Sequence, residues 1–287
     1  MLVLIRGAGD LASGIALRLY RAGLYVVMTD LPQPTAIRRT VSFSQAIRFG
    51  STTVENVTAV LTQSPVEARA ALLSEKIPVL ADPEANCTAW LHPDAVVDAI
   101  LAKRNLGTKI TDAPVVIGVG PGFTAGVDCH AAVETMRGHM LGRVIREGSP
   151  LPNTNIPGLI GGFAGERVLR APDTGIFQQT LEIGAMVQPG DIAGSVNGKP
   201  MRCTIAGVLR GILPDGTPVT VGMKSGDVDP RGDQSACYTA SDKAIGIGGG
   251  VLQAILEYSG VLKGCRGDNF LEWQECVQWN NRNRASN

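Results

Sequence analysis

The stretch that decides the fold is LIRGAGDLASGIALRLYRAGLYVVMTD, residues 4–30. An apolar run leads into Gly7, Gly9 and Ala12, which match the pattern G-x-G-x-x-G/A, and an amphipathic segment follows. Asp30 ends the next apolar run, about twenty residues further on. This spacing predicts a strand, a tight glycine turn, a helix and a second strand, which is the arrangement of a Rossmann-like unit.

The residues of this first glycine turn suit a bound pyrophosphate. Gly7 permits the tight turn, Gly9 lets the backbone approach a phosphate, and the small Ala12 lets the helix pack closely on the strand. The helix N-terminus supplies free N–H groups and a partial positive charge, and Asp30 would accept a hydrogen bond from a ribose hydroxyl. Asp10 would repel a phosphate unless it caps the helix, so a tight turn without a ligand is the alternative.

A second glycine-rich turn follows the apolar run 115–119. We expect a helix after it that carries Asp128 and Arg137, and both turns at the carboxyl edge of one parallel sheet, where they would line a single crevice. The residues of this segment that we predict to bind a cofactor are Gly118, Gly120, Gly122, Thr124, Gly126 and Arg137.

The predicted second helix carries the candidate catalytic residues Cys129, His130 and Glu134. His130, Glu134 and Arg137 are spaced i, i+4 and i+7, so they would share a helix face, with a proton-transfer pair beside an anion contact. Cys129 beside a helix N-terminus is a candidate low-pKa thiol. A solvated polar face and a buried, inert cysteine are the alternatives.

Composition limits the partners that we expect. The 26 Lys and Arg residues balance 26 Asp and Glu residues, whereas nucleic acid or an anionic membrane needs a concentrated basic face. No segment approaches the about 18 consecutive apolar residues of a membrane span. The 6 cysteines lack zinc-finger spacing. We therefore expect no nucleic acid, membrane or metal partner, and a cytoplasmic location with reduced thiols.

Changes of texture along the chain predict two domains. Residues 1–147 alternate apolar runs with helical stretches, which is typical of a Rossmann-like α/β domain with a parallel sheet. Residues 148–175 are rich in glycine and proline and predict a connection. Residues 176–239 contain a repeated G-x-x-V-x-x-G pattern, beginning at Gly184 and again at Gly216, which predicts a smaller β domain of the barrel-sandwich, biotinyl/lipoyl-like type.

The C-terminal part of the chain is expected to consist of one helix and a tail. Residues 240–258 predict a helix that packs back on the core, although its several glycines weaken an isolated helix. Residues 259–287 predict a polar tail. Arg210 stands where a carrier domain of the barrel-sandwich type would present a modifiable lysine, so we do not expect carriage on a swinging arm.

Longer segments resemble one known family. RGAGDLASGIALRLYRAG, GVGPGFTAGVDCHAAVETMRGHMLGRVI, GDVDPRG and SDKAIGIGGGVLQAIL are similar to segments of the selenium-dependent molybdenum hydroxylase system proteins, which are YqeB-type accessory proteins related in role to xanthine dehydrogenase accessory factors. The resemblance covers residues 1–258. This chain departs from the family pattern at Ile245, where an arginine usually follows SDKA, and no matching family segment is identified for the tail from Gly260 onward.

The resemblance implies maturation of a selenium-dependent molybdenum hydroxylase, with the apoenzyme or other maturation factors as partners. The crevice between the two glycine turns would then hold a nucleotide, with NAD or ATP as candidates, or molybdopterin cytosine dinucleotide. Cys129 is a candidate carrier of sulfur or selenium as a persulfide-type adduct. An NAD-dependent oxidoreductase and a non-catalytic partner-binding module are the alternatives. Whether the chain catalyses a reaction or forms a homo-oligomer stays open.

Overall fold

The computed structural model describes residues 1–154 and 157–262, which form one large mixed sheet followed by two smaller sheets. The strands of the large sheet are β1 (Leu2–Arg6), β2 (Tyr25–Asp30), β3 (Ser51–Val54), β4 (Val57–Leu61), β5 (Ile77–Ala81), β6 (Ala95–Asp98), β7 (Val115–Val119), β8 (Ala131–Val133) and β9 (Val144–Ile145).

The strand order in this sheet is β3-β4-β5-β2-β1-β6-β7-β8-β9. The strands from β4 to β8 run parallel, while β3 and β9 pair antiparallel at the two edges. The inner strands are buried on both faces, which explains their unbroken apolar sequences. From β1 the chain moves to β2 on one side and later to β6 on the other, so the strand order reverses between β1 and β6.

Helices flank this sheet, and two of them pack against each other. The helices are α1 (Asp10–Arg21), α2 (Gln45–Phe49), α3 (Pro65–Leu73), α4 (Thr88–Leu91) and α5 (Asp242–Ser259). The Ser241 hydroxyl caps α5 by accepting the N–H of Ala244 at 3.2 Å. A Cβ on Gly250 would lie 2.1 Å from the carbonyl oxygen of Gly142, so this glycine lets α5 approach the main domain closely.

The chain after residue 165 builds a second hydrophobic core. Its strands are β10 (Val168–Arg170), β11 (Gly175–Gln179), β12 (Met186–Val187), β13 (Ile192–Val196), β14 (Lys199–Arg202), β15 (Gly207–Ile212), β16 (Pro218–Val219) and β17 (Lys224–Asp229). They form two antiparallel sheets of four strands, ordered β10-β17-β15-β12 and β14-β13-β11-β16. The repeated glycine pattern supplies turns with positive φ, at Gly184 (+98°) and Gly216 (+78°).

The predicted fold class is wrong. The main sheet is mixed rather than parallel, and the chain beyond it forms two separate antiparallel sheets rather than a clear barrel-sandwich domain. The regular alternation of strand and helix fails after β6, because β6, β7 and β8 follow one another without an intervening helix. The run Ala131–Val133 is buried on both faces and therefore carries no periodic signal that separates a strand from a helix.

Segment 37–39, after β2, connects the two cores. The Ile212 N–H donates to the Ile37 carbonyl at 2.8 Å, and Arg39 Nε donates to the Ile212 carbonyl at 2.9 Å. Arg38 Nη2 donates to the carbonyl of Ala236 at 3.0 Å. These contacts fix the β sheets of the second core beside the N-terminus of α1.

Among the described residues, no helix is long and apolar enough to cross a membrane. The greater part of the predicted polar tail, from residue 263 onward, lies outside the described residues.

Candidate functional site

A cavity of about 440 Å³ opens where the strand order reverses. It lies at the carboxyl ends of β1, β2 and β6, which is where ligands of open α/β sheets bind. Its volume is in the range of roughly 300–1,000 Å³ that is usual for small-molecule sites. The polar and glycine residues that line it are Arg6, Gly7, Gly9, Asp10, Thr29, Asp30, Thr35 and Glu84.

The first glycine turn forms one wall of this cavity. Gly7 has φ +99°, and a Cβ on it would lie 2.8 Å from the Ala99 carbonyl oxygen, so only glycine fits here. Gly9 is the N-cap of α1 and provides no side-chain cap. The first helical bond runs from the Ser13 N–H to the Gly9 carbonyl, which leaves the N–H groups of the first turn without acceptors in the helix.

Asp30 stands beside this helix end, as predicted. Its Oδ2 accepts the Ala8 N–H at 2.9 Å, and its Oδ1 accepts the Leu31 N–H at 2.7 Å. Burial raises the pKa of Asp30, and the two backbone hydrogen bonds partly oppose that effect. The carboxylate thus steadies the turn and retains acceptor capacity for a hydroxyl group in the cavity.

Arg6 lines the cavity, and Asp98 lies behind it. Both are buried, and Arg6 Nη1 lies 3.6 Å from Asp98 Oδ2. Thr108 connects them, since its hydroxyl accepts from Arg6 and donates to Asp98 at 2.6 Å. Arg6 Nε is buried and has no hydrogen-bond partner among the residues that the structure describes. Sequence reasoning missed the part of Thr108 in this contact, because Thr108 is in a loop whose sequence gives no signal of it.

Asp10 is less repulsive to an anion than its position in the turn suggested. Its Oδ2 lies 3.4 Å from Nη1 of the buried Arg38. Burial lowers the pKa of Arg38, and the carboxylate of Asp10 opposes this shift. The arginine offsets the charge of Asp10 at the cavity rim.

The second glycine turn lies elsewhere, and its residues are absent from the lining of this cavity. A Cβ on Gly118 would lie 2.4 Å from the Phe123 ring, and one on Gly122 would lie 2.5 Å from the Arg104 Cα. Close packing of protein on protein therefore explains these glycines. The remaining members of the turn are Gly120 and Gly126, both with φ +84°, and Thr124, whose N–H donates to Asp128 Oδ2 at 2.8 Å.

The predicted helix after this turn is wrong, and with it the shared helical face. The segment forms β8 instead, and His130 Nδ1 accepts the Val116 N–H at 2.9 Å. Glu134 is buried and accepts backbone N–H groups, two at 2.7 Å and that of Leu151 at 2.8 Å. Arg137 pairs with both carboxylate oxygens of Asp242, at 2.7 and 3.0 Å.

The expectation of a low-pKa thiol at Cys129 is also wrong. Cys129 is fully buried and follows a loop rather than beginning a helix. Burial raises its pKa to about 11, so the thiolate is disfavoured. The geometry gives no support to a persulfide carrier at this position. Among the described residues, no group of three or more His, Cys, Asp or Glu side chains is placed to hold a metal ion.

The fold and the cavity define an α/β protein with a cavity at the carboxyl edge of its main sheet. The chain is 50% identical over 255 residues, 89% of its length, to YqeB of Escherichia coli (strain K12), which is described as an uncharacterized protein. It spans about half of that relative, 47% of its length. No protein-family model matches the chain.

Solved structures give weak similarities. An aspartoacylase family protein from Mesorhizobium loti is 11% identical with a TM-score of 0.27, and the match covers 79% of this chain and 84% of that one. The product-bound ectoine utilization protein EutE (DoeB) from Ruegeria pomeroyi is 13% identical with a TM-score of 0.25, at the same two coverages. TM-scores this low carry no argument about fold or function.

Proposed function

We propose that the chain binds a nucleotide in the cavity at the end of β1, and that it serves as an accessory protein in the maturation of a selenium-dependent molybdenum hydroxylase. The observation that carries the binding proposal is the uncapped N-terminus of α1, which opens on the same cavity as Asp30. The maturation role rests on the sequence resemblance.

The phosphate and the ribose of a nucleotide each have a counterpart in the cavity. A phosphate at the start of α1 would accept the N–H groups of the first turn and would be favoured by the helix dipole. The ribose would donate a hydroxyl hydrogen bond to Asp30. A 2′-phosphate would face the Asp30 carboxylate, so an unphosphorylated ribose fits better.

Three candidate ligands carry these groups: NAD, ATP and molybdopterin cytosine dinucleotide. The pyrophosphate and ribose that the pterin dinucleotide contains fit the same contacts, so the residues present are compatible with it. When bound, that cofactor would supply the molybdenum-ligating pterin that a hydroxylase uses. This chain's own residues would bind and orient its phosphates and ribose.

The oxidoreductase alternative lacks its expected proton-transfer residues at this site. His130, Glu134 and Arg137 each have separate partners away from the cavity. The other alternative is a partner-binding module that holds no ligand, and experiment distinguishes it from a nucleotide-binding protein.

The binding proposal is tested by thermal unfolding with NAD, ATP, CTP and molybdopterin cytosine dinucleotide. A ligand at about 100 times its Kd should stabilise the fold by about 2.7 kcal/mol. The Asp30→Ala variant should lose this gain, while Asp82→Ala should keep it, because Asp82 lines a different cavity. If none of the four ligands raises the Tm, the nucleotide site is refuted.

The maturation role needs a separate test in cells. Deleting the gene should lower the activity of a selenium-dependent hydroxylase made in the same strain, and the wild-type gene should restore that activity whereas Asp30→Ala should not. Unchanged hydroxylase activity in the deletion strain would refute the role without affecting the binding result.

A further inference from the structure

Arg6, at the end of β1, has hydrogen-bond donors that the rest of the chain hardly uses. Its Nη1 donates to the Thr108 hydroxyl and lies 3.6 Å from Asp98 Oδ2. On its other edge, Nη2 is 3.4 Å from the Pro83 carbonyl, which is longer than an ordinary N–H···O bond of about 2.7–3.2 Å. Nε has no partner in the part of the chain that the structure describes. The edge that carries Nε and Nη2 is therefore almost unused.

This unused edge is unfavourable, because Arg6 is only 5% exposed. A buried donor without an acceptor has lost its hydrogen bonds to water and has gained nothing in return. Nε–H and one Nη2–H point the same way from the planar guanidinium, so together they fit two oxygens of one phosphate or carboxylate. The open edge of Arg6 is thus shaped for an oxyanion.

Arg6 also lies on the face of the main sheet opposite α1. Side chains alternate along a strand, so Leu4 and Arg6 share one face and Ile5 has the other. Ile5 packs in the hydrophobic cluster that contains Ile15 of α1, whereas Leu4 packs in a separate cluster with Leu80. Because Arg6 and the start of α1 line the same cavity, that cavity reaches both sides of the sheet edge.

The acidic groups near Arg6 leave its open edge free. Asp98 lies on the Nη1 side, where its Oδ1 accepts the Ile100 N–H at 3.1 Å and its Oδ2 accepts the Thr108 hydroxyl at 2.6 Å. Glu84 lines the same cavity, but it is exposed and forms no ion pair with Arg6 within the described ranges. An oxyanion in the cavity would therefore meet Nε and Nη2 without displacing an existing ion pair.

We propose that Arg6 binds a second oxyanion of the ligand, across the sheet edge from the phosphate at α1. This rests on the proposed function for the first phosphate. The ligand class is then a nucleoside polyphosphate, whose β- or γ-phosphate is held by Arg6 when the α-phosphate lies at the start of α1. A nucleoside monophosphate occupies only the α1 side of the cavity.

Heteronuclear NMR of the arginine Nε–H groups tests this directly. The signal of Arg6 is the one that disappears in Arg6→Lys. In the wild-type chain, ADP or ATP should shift the Arg6 signal, because an oxyanion would accept the free Nε–H, whereas AMP should leave it in place. A shift that appears with ADP assigns the β-phosphate to Arg6, and one that appears only with ATP assigns the γ-phosphate.

Affinities measured by isothermal titration calorimetry give the second readout. Lysine keeps the positive charge beside Asp98 but lacks the two-donor edge, so Arg6→Lys should weaken polyphosphate binding by about tenfold or more. AMP affinity should stay unchanged. Arg170→Lys is the matched control, since Arg170 is exposed in the second core and donates to the Gly222 carbonyl at 2.9 Å. If Arg6→Lys fails to fold, the shift of the wild-type signal decides.

The outcomes separate this proposal from the nucleotide site itself. If nucleotides bind but the Arg6 signal does not move, or if Arg6→Lys weakens AMP, ADP and ATP equally, the second oxyanion site is overturned and the first phosphate site stands. If no nucleotide binds, inorganic pyrophosphate decides: a shift of the Arg6 signal supports the oxyanion site alone, and no shift overturns it. A shift of that signal in Glu84→Gln without any ligand would also overturn the proposal, because the Glu84 carboxylate would then occupy the open edge.

Discussion

Gly14 of α1 and Ala244 of α5 are in direct contact: a Cβ on Gly14 would lie 2.4 Å from the Ala244 Cβ and 3.0 Å from its carbonyl carbon. The Ala244 side of this contact includes backbone atoms, and backbone cannot move aside as the end of a flexible side chain can. The contact fixes α5 against the helix whose N-terminus forms the cavity. It therefore ties the C-terminal helix to the candidate site.

The first prediction follows from this contact. Gly14→Ala should destabilise the fold by about 1–3 kcal/mol, because overpacking outweighs the gain in helix propensity. Gly249→Ala is the matched control, since a Cβ there meets nothing within 4 Å. It should stabilise the fold by about 0.5–1 kcal/mol. Urea unfolding followed by circular dichroism measures both changes, and a Gly14→Ala variant as stable as the control would contradict the packing.

A second prediction concerns the cavity wall at Gly9. Its φ of −70° suits any residue, and a Cβ would have only the Ala36 Cβ nearby, at 4.0 Å. Gly9→Ala should fold, with an N-cap penalty of about 1 kcal/mol or less. It should weaken nucleotide binding by about tenfold or more, because the methyl group would occupy the path of a phosphate toward the helix. Titration calorimetry with ATP measures this, and undiminished affinity would place the phosphate elsewhere.

The first glycine turn was predictable because its evidence is local. Residues 2–30 form the predicted strand, helix and strand, and the Asp30 carboxylate bonds the turn that its spacing indicated. Such a motif needs only the covalent spacing of a few residues and the conformational freedom of Gly7.

The rest of the site depends on contacts that the sequence does not encode locally. The spacing of His130, Glu134 and Arg137 suits a helix, but each side chain has a separate tertiary partner that holds it away from the others. Arg38 comes from the segment after β2, and only the tertiary packing of that segment beside α1 brings it to Asp10. No periodicity of the chain signals that meeting.

A third prediction concerns the ion pair between Arg137 and Asp242, whose pH dependence has a definite sign. The arginine hydrogen bond lowers the pKa of Asp242 from 3.8 to about 2. A carboxyl pKa that is lower in the folded state stabilises the fold above the unfolded value, and this contribution disappears as the pH falls toward 2. Since Asp242 is 74% exposed, solvent screening keeps the effect small, about 1 kcal/mol or less.

The measurement compares Asp242→Asn with the wild-type chain by thermal unfolding. The variant should be less stable at pH 7, and the difference should shrink between about pH 4 and pH 2. Arg137→Met supplies the control, because in its background Asp242→Asn should have little effect at any pH. If the stability difference between Asp242→Asn and the wild-type chain were as large at pH 2 as at pH 7, the Arg137–Asp242 ion pair would not be its cause.

The last prediction concerns the thiols, which bear on any role in carrying sulfur or selenium. Burial raises the pKa of Cys87 to about 12 and those of Cys129 and Cys203 to about 11. The thiolate is the reactive form, so these cysteines should resist iodoacetamide at pH 8 in the folded protein and react readily in urea. Peptide mass spectrometry, with each cysteine identified by its own peptide, measures the two rates.

If Cys129 reacts as fast in the folded chain as in urea, a carrier role at that position regains its chemical basis. If Cys129→Ala also leaves hydroxylase maturation unchanged, sulfur or selenium transfer through this thiol is eliminated, whereas the proposed nucleotide binding at the start of α1 is unaffected.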